Sequence, residues 1–345
     1  MPSRIEGQAN VVVTGANGFI AQHCVTALLN HGYAVIGTVR SAEKALLATD
    51  LHKHDYFTAV VVDDITNHSL YVEALRPFSP VAIIHLASPF RYDATNFEQE
   101  LMIPAVQGAL AVLNAASALT AVKRVIHTSS FACILDVAAG PCPDKTYTAA
   151  DWSPLTYNDG ITAPNVAAAY RASKTAAERA SWKFMKSQRR HFDMVSLCPA
   201  MTFGPFLSGA EPQSAGEINT SNKIIWNIIS AGKDGSMPPT MGPVWVDVRD
   251  VATALVQALK VSEAGGKRYM LARDTYCNQE IADTARQIVP EYCSNLPHGE
   301  PGKRGKKSHY RVDVTETERV LGVEFRDLAQ CLRDTIPQLA SLSSK

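Results

Sequence analysis

The stretch from Asn10 to Ala21, Asn-Val-Val-Val-Thr-Gly-Ala-Asn-Gly-Phe-Ile-Ala, constrains this chain more than any other. An apolar run ends in two glycines, and Cys24, Val25, Ala27, Leu28 and Leu29 then recur on one helical face. Strand, tight turn and helix in that order form the context in which a dinucleotide is held. Gly15 permits the sharp turn, Gly18 lets a pyrophosphate approach the main chain, and small Ala21 lets helix and strand pack closely. Asn17, Phe19 and Ile20 lie in the same turn and are expected at the cofactor, with the helix N-terminus facing its phosphate charge. The spacing is G-x-x-G-x-x-A rather than the commoner G-x-G-x-x-G. By itself it suggests a dinucleotide without saying what the dinucleotide does.

Tyr33 to Arg40 reads as a second strand, and the residue that ends it selects the cofactor. A carboxylate there would favour NAD by binding the ribose 2′-hydroxyl, whereas an arginine accommodates the extra phosphate of NADP. Arg40 holds the position, with Ser41 and Lys44 just beyond and no acidic residue, so NADP(H) is expected. Phe57 to Val62 forms a third strand closed by Asp63-Asp64-Ile65, where Asp64 and Ile65 are expected at the adenine. Val81 to Ala87 forms a fourth, and Ala87 with Ser88 passes against the cofactor. Lys123 to Ser130 forms a fifth, ending in the hydroxyls of Thr128, Ser129 and Ser130.

Strands alternating with helical patterns, such as that from Ala105 to Leu119, predict an α/β fold with a doubly wound parallel sheet. Ligand chemistry then belongs at the carboxyl ends of the strands. A polar, Pro- and Gly-rich passage over 138–164 reads as a long loop that delivers Tyr170-Arg171-Ala172-Ser173-Lys174 at the opening of a helix. His191 to Pro199 is a sixth strand, with Pro199 at its cofactor end. Beyond it the alternation weakens. Residues 1–205, completed by about 244–262, are expected to form the nucleotide domain, and 206–243 with 263–345 a small α+β substrate lobe.

A phenol is a poor acid or base at neutral pH, and a neighbouring ammonium lowers its pKa by stabilising the phenolate. Lys174, one helical turn from Tyr170, is placed to do this. A hydroxyl at the end of the fifth strand can hold the carbonyl oxygen that Tyr170 protonates. Strand alternation lets only one of Ser129 and Ser130 face the cofactor, without saying which.

With 33 basic and 33 acidic residues among 345, the chain has no net charge to attract nucleic acid or an anionic membrane. No secretory leader pattern precedes the first strand, and no run reads as a membrane span, so the cytoplasm is the expected compartment. Seven scattered cysteines without a C-x-x-C pair read as reduced thiols, and His52, His54 and Asp55 lack the further ligands a metal needs.

The combination Thr14 to Ala21, Arg40-Ser41, Thr128-Ser129-Ser130 and Tyr170 to Lys174 resembles the extended short-chain dehydrogenases/reductases of Rossmann fold. Ala87-Ser88-Pro89-Phe90, Phe203-Gly204-Pro205 and Val246 to Ala252 extend the likeness nearly end to end, in particular to the dihydroflavonol reductase and cinnamoyl-CoA reductase group. Within that group the motifs look most like the fungal NADPH-dependent methylglyoxal and 3-methylbutanal reductases. The resemblance implies an NADPH-dependent carbonyl reductase, monomeric or a homodimer, with Ser130, Tyr170 and Lys174 catalytic. A bulky apolar ketone of fungal secondary metabolism is the expected substrate type, in a pocket of Phe90, Phe131, Met201, Phe203 and Trp226. Three positions depart from the family. Ile103-Pro104 stands where shorter relatives carry a catalytic asparagine, and Phe131 and Met201 stand where the yeast enzymes carry tyrosines. A sugar-nucleotide epimerase or dehydratase, and an NADP-sensing protein without activity, remain alternatives.

Overall fold

A computed structural model describes residues 9–88, 93–240, 242–293, 296–304 and 309–344. The first half alternates strand and helix. β1 (Asn10–Thr14), α1 (Phe19–Asn30), β2 (Ala34–Val39), α2 (Ala42–His52), β3 (Phe57–Val61) and α3 (His68–Leu75) build one wing of a sheet. β4 (Ala82–His85), α4 (Ile103–Ala118) and β5 (Arg124–Thr128) begin the other. The passage expected as loop carries a two-residue strand, β6 (Thr146–Tyr147), and a short helix, α5 (Tyr157–Ile161). α6 (Val166–Ser187) and β7 (Asp193–Pro199) follow.

The rest of the chain comprises β8 (Met201–Phe203), α7 (Asn222–Ile229), β9 (Val244–Asp247), α8 (Val248–Lys260), β10 (Arg268–Leu271), β11 (Asp274–Thr275), α9 (Asn278–Ile288), β12 (Arg311–Val312), α10 (Thr315–Leu321) and α11 (Leu328–Ala340). The central sheet has seven strands in the order β10-β7-β5-β4-β1-β2-β3. Every pairing in it is parallel; the inner strands are covered on both faces and read as continuous apolar runs, while the edge strand β3 leaves Thr58 and Val61 exposed.

Two further features differ from the sequence expectation. β10, placed by sequence in the substrate lobe, pairs with β7 as an edge strand of the central sheet, because its buried Tyr269, Met270 and Leu271 extend the main core. The stretch Glu98–Ala118, ending in α4, is long and apolar enough by composition to cross a membrane, contrary to the reading of no such run. Its apolar residues are instead spent inside the fold. Val112 and Leu113 join the core under the sheet, and small Ala105 and Ala109 let α4 pack closely on Ala177 of α6.

A second core gathers Phe203, Ile225, Ile228, Trp245, Ile281, Leu332 and Ile336, from β8, α7, β9, α9 and α11. The three-stranded sheet β11-β9-β8 floors it. Phe19, the first residue of α1, reaches this second core through Phe206, with ring centroids 5.5 Å apart. The helix that follows the glycine turn and the second core are therefore in contact.

Candidate active site

The sheet order reverses between β1 and β4, which opens a crevice at their carboxyl ends. Gly15 has φ +67°, and a Cβ on it would stand 3.0 Å from the Ala87 Cα, so only glycine serves where the turn meets the end of β4. Thr14 locks the same junction. Its Oγ1 accepts from the amides of Leu86 and Ala87, both at 3.0 Å, and lies 3.0 Å from His85 Nδ1. With the amides occupying its lone pairs, the hydroxyl donates to Nδ1, so His85 carries its own hydrogen on Nε2.

Gly18 caps α1 without a side-chain bond, and no acidic residue stands in the first turn, which leaves the helix amides for an anion. Asn17 and Ile20 flank that turn, both half-buried. Arg40 is exposed at the end of β2 and makes no ion pair among the described residues. Lys44 follows in the first turn of α2, its amide 3.3 Å from the capping Ser41 Oγ. Asp64 accepts from the amide and hydroxyl of Thr66 at 2.8 and 2.7 Å, and those bonds hold its carboxyl below the ordinary range. Ile65 beside it packs over Gly108 of α4. A glycine approach, an uncapped helix end and an unpaired guanidinium together fit a dinucleotide that carries a 2′-phosphate.

Asn165 caps α6 through the Ala168 amide at 3.0 Å, so the helix starts at Val166 and Tyr170 stands in its second turn rather than at its opening. Tyr170, half-buried, and Lys174, buried, succeed each other on one face. Lys174 Nζ donates to the Thr128 carbonyl at 3.0 Å, which brings the helix onto the end of β5. Burial lowers the Lys174 pKa, and Cys133, Glu178 and Cys198 oppose the shift.

The two serines have different partners. Ser129 donates to the Glu178 carboxylate at 2.7 Å and is buried beneath the strand end. Ser130 caps a 3-10 turn by accepting from the Ala132 amide at 3.1 Å, which leaves its hydroxyl proton uncommitted among the described residues. Thr128 is buried, and Pro199 ends β7 alongside.

The expected pocket residues separate. Phe203 is fully buried, with its ring 6.1 Å from Trp245 and 5.2 Å from Tyr276, so it is core and offers a ligand no surface. Phe131 is also turned into packing, against Tyr147 at 6.3 Å and Tyr310 at 6.1 Å. Met201 and Trp226 are half-buried and keep open surface at the edge of the second core. Phe90 lies outside the described residues.

Sequence reading missed Thr14, His85, Glu178 and Arg268. Glu178 was findable, because it follows Lys174 by four residues as Lys174 follows Tyr170, a carboxylate on a face that must be buried. His85 ends and Arg268 begins an apolar strand, and neither gave a signal of its partners.

Three buried imidazoles set an acid limit on stability. Burial lowers the pKa of His23, of His85 and of His127, the last to about 4 from 6.5. Between those values the unfolded chain binds protons that the folded chain refuses, so stability is complete above pH 6.5 and is lost as pH falls toward 4. The melting temperature is expected to decline over that window. A constant value across it would show that these histidines accept protons where they stand.

Residues 11–272 match the family described as NAD dependent epimerase/dehydratase. A ketoreductase of Aspergillus niger is 35% identical, with 95% of this chain and 97% of the relative covered. An NADPH-dependent methylglyoxal reductase of Saccharomyces cerevisiae is 31% identical over 97% and 99% of the two chains. The crystal structure of the yeast methylglyoxal/isovaleraldehyde reductase complexed with NADPH superposes with a TM-score of 0.90 at 30% identity, covering 97% of this chain and 99% of that one.

Proposed function

We propose, for a chain that belongs to the NAD dependent epimerase/dehydratase family and within it to the extended short-chain reductases, that Ser130, Tyr170 and Lys174 carry out the reduction of a carbonyl. The reaction is the NADPH-dependent conversion of an aldehyde or ketone to an alcohol. The observation that carries the residue assignment is the convergence of α6 on the end of β5, through the 3.0 Å bond from Lys174 to Thr128, beside the Gly15 turn.

Tyr170 donates a proton to the carbonyl oxygen, and the Lys174 ammonium one turn away stabilises the phenolate left behind. Ser130, with its proton uncommitted, holds the same oxygen while charge develops on it. Bound NADPH supplies the hydride that reaches the carbonyl carbon. Arg40 and Lys44 receive the 2′-phosphate, Gly15 to Ile20 the pyrophosphate, and Asp64 and Ile65 the adenine.

The lobe around the second core holds the substrate. Met201 and Trp226 offer it an apolar, thioether-bearing surface, which suits a bulky apolar ketone of the polyketide type. All seven thiols are free, which suits the reducing cytosol.

Turnover with NADPH and with NADH against a mixed panel of aldehydes and ketones tests the activity, and NADPH consumption with none of them would sink it. For the cofactor contact, Arg40→Asp is expected to raise the KM for NADPH by at least about tenfold, the value of a lost charge-assisted phosphate bond. NADH should be affected far less. An equal loss with both cofactors would remove Arg40 from the 2′-phosphate.

A further inference from the structure

Beneath the reacting residues one carboxylate joins most of the surrounding elements. Glu178 has no exposed surface and lies one turn beyond Lys174. It accepts from Ser129 Oγ after β5 at 2.7 Å and from Ser196 Oγ in β7 at 2.6 Å. Arg268 Nε and Nη2 in β10 donate to it at 2.7 and 3.0 Å, and Trp182 Nε1 of its own helix at 3.2 Å. Arg268 is itself anchored, donating to the carbonyls of Ala149 and Asp151 at 2.6 and 2.7 Å and lying 3.7 Å from the centroid of the Trp152 ring. Five donors thus satisfy a carboxylate that water cannot reach. Burial alone would raise its pKa, but Arg268, Ser196 and Ser129 hold it well below the usual carboxylate range.

We infer that Glu178 is a positioning residue for the reduction: by capturing Ser129 it turns Ser130 to the cleft, and by tying α6 to three neighbouring strands it sets Tyr170 and Lys174 against the end of β5. The inference rests on the assignment of Ser130, Tyr170 and Lys174 above. The backbone stays extended through Ser130 just past β5, and consecutive residues of extended chain point to opposite sides, so the side chain that Glu178 holds decides which side the next one takes. Lys174 grips the carbonyl of Thr128 and Glu178 grips the hydroxyl of Ser129, so two successive helical turns bind the last residue of β5 and the one that follows it. Loss of either grip leaves the proton donor and the oxygen-holding hydroxyl free to drift, and a displacement of about 1 Å at such a site can cost on the order of a hundredfold in rate.

Glu178 also acts through charge. The titratable groups around Lys174 are His85 of β4, His127 of β5, Cys133 of the 3-10 turn, Cys198 of β7 and Glu178. Burial keeps both imidazoles and both thiols neutral at pH 7, so Glu178 and its partner Arg268 are the charged members of the cluster. A negative charge within about one helical turn of Lys174 and two of Tyr170 raises the pH at which that couple gives up its proton, by on the order of one unit.

Two variants test this, Glu178→Gln, which keeps the shape, and Ser129→Ala, which leaves the ion pair in place. Each is assayed with NADPH and the best carbonyl of the panel, with the NADPH Kd from fluorescence and the melting temperature measured alongside. The expected result is a fall in kcat of at least about tenfold in both, with the NADPH Kd within about twofold of the parent. In Glu178→Gln the alkaline limb of kcat/KM moves to lower pH by on the order of one unit, while in Ser129→Ala it stays. A purely structural carboxylate would lower the melting temperature and leave kcat and the limb in place, and that outcome in either variant overturns the inference. If Glu178→Gln does not fold, Ser129→Ala decides, and an undiminished kcat there overturns it. Failure of the underlying assignment has a different signature, turnover that survives in Tyr170→Phe.

Discussion

Tyr170→Phe is expected to lower kcat by about 10²- to 10⁴-fold, the usual contribution of a positioned general acid, while NADPH binds as before. The substitution removes one oxygen from a half-buried ring and leaves the helix, Lys174 and its 3.0 Å bond to Thr128 intact. The cofactor contacts proposed for Gly15, Arg40 and the start of α1 lie on other elements. Rate and affinity should therefore separate, with kcat collapsing and the NADPH Kd holding. Stopped-flow or fluorescence titration of the variant gives the Kd, and steady-state turnover gives kcat. A variant that keeps its full rate would show that the proton comes from another group, and Tyr170 would then be a packing residue.

Arg268→Leu is expected to cost about 3–5 kcal/mol of stability, because it strands the Glu178 carboxylate in the core without its counter-charge. The pair is buried on both sides, with 9% of the arginine and none of the glutamate side chain exposed. The hydroxyls of Ser129 and Ser196 remain but carry no charge, so the carboxylate must protonate or the strands must part. The melting temperature should fall by roughly 4–7 °C, as a loss of that size implies for a chain this long. Chemical denaturation of the variant against the parent measures the difference. A loss below about 1 kcal/mol would mean that the cluster adapts or hydrates at little cost, and that the ion pair does not hold β10 to the sheet.

Much of the candidate cofactor site is legible in the sequence because its signals are local. A glycine pair, a strand-ending Arg40 and a Tyr-Lys spacing of four each act within a turn or a single element, where chain geometry ties spacing to direction. The sheet was legible for the same reason, as its inner strands are buried on both faces and read as apolar runs. Legibility failed where the outcome depended on what stood opposite. Phe203 looked like a ligand contact and proved to be core, because Trp245 and Tyr276, far along the chain, close over it. Phe131 is likewise held by Tyr310, which enters the site region only because β12 pairs with β6. β10 looked like part of the lobe and joined the main sheet beside β7.

The serine pair draws the line most sharply. Local spacing in the chain is sufficient to propose a dinucleotide turn, an arginine for the 2′-phosphate and a tyrosine–lysine couple, since each is a relation between near neighbours on one strand or helix. It is also sufficient to say that one of two adjacent serines must face away. Which one turns away is decided by Glu178, 49 residues on, whose carboxylate needs the Ser129 hydroxyl as a donor and itself needs Arg268, a further 90 residues on, to remain charged in the core. Buried charge must find its partners wherever the fold brings them, and only the folded chain shows where that is.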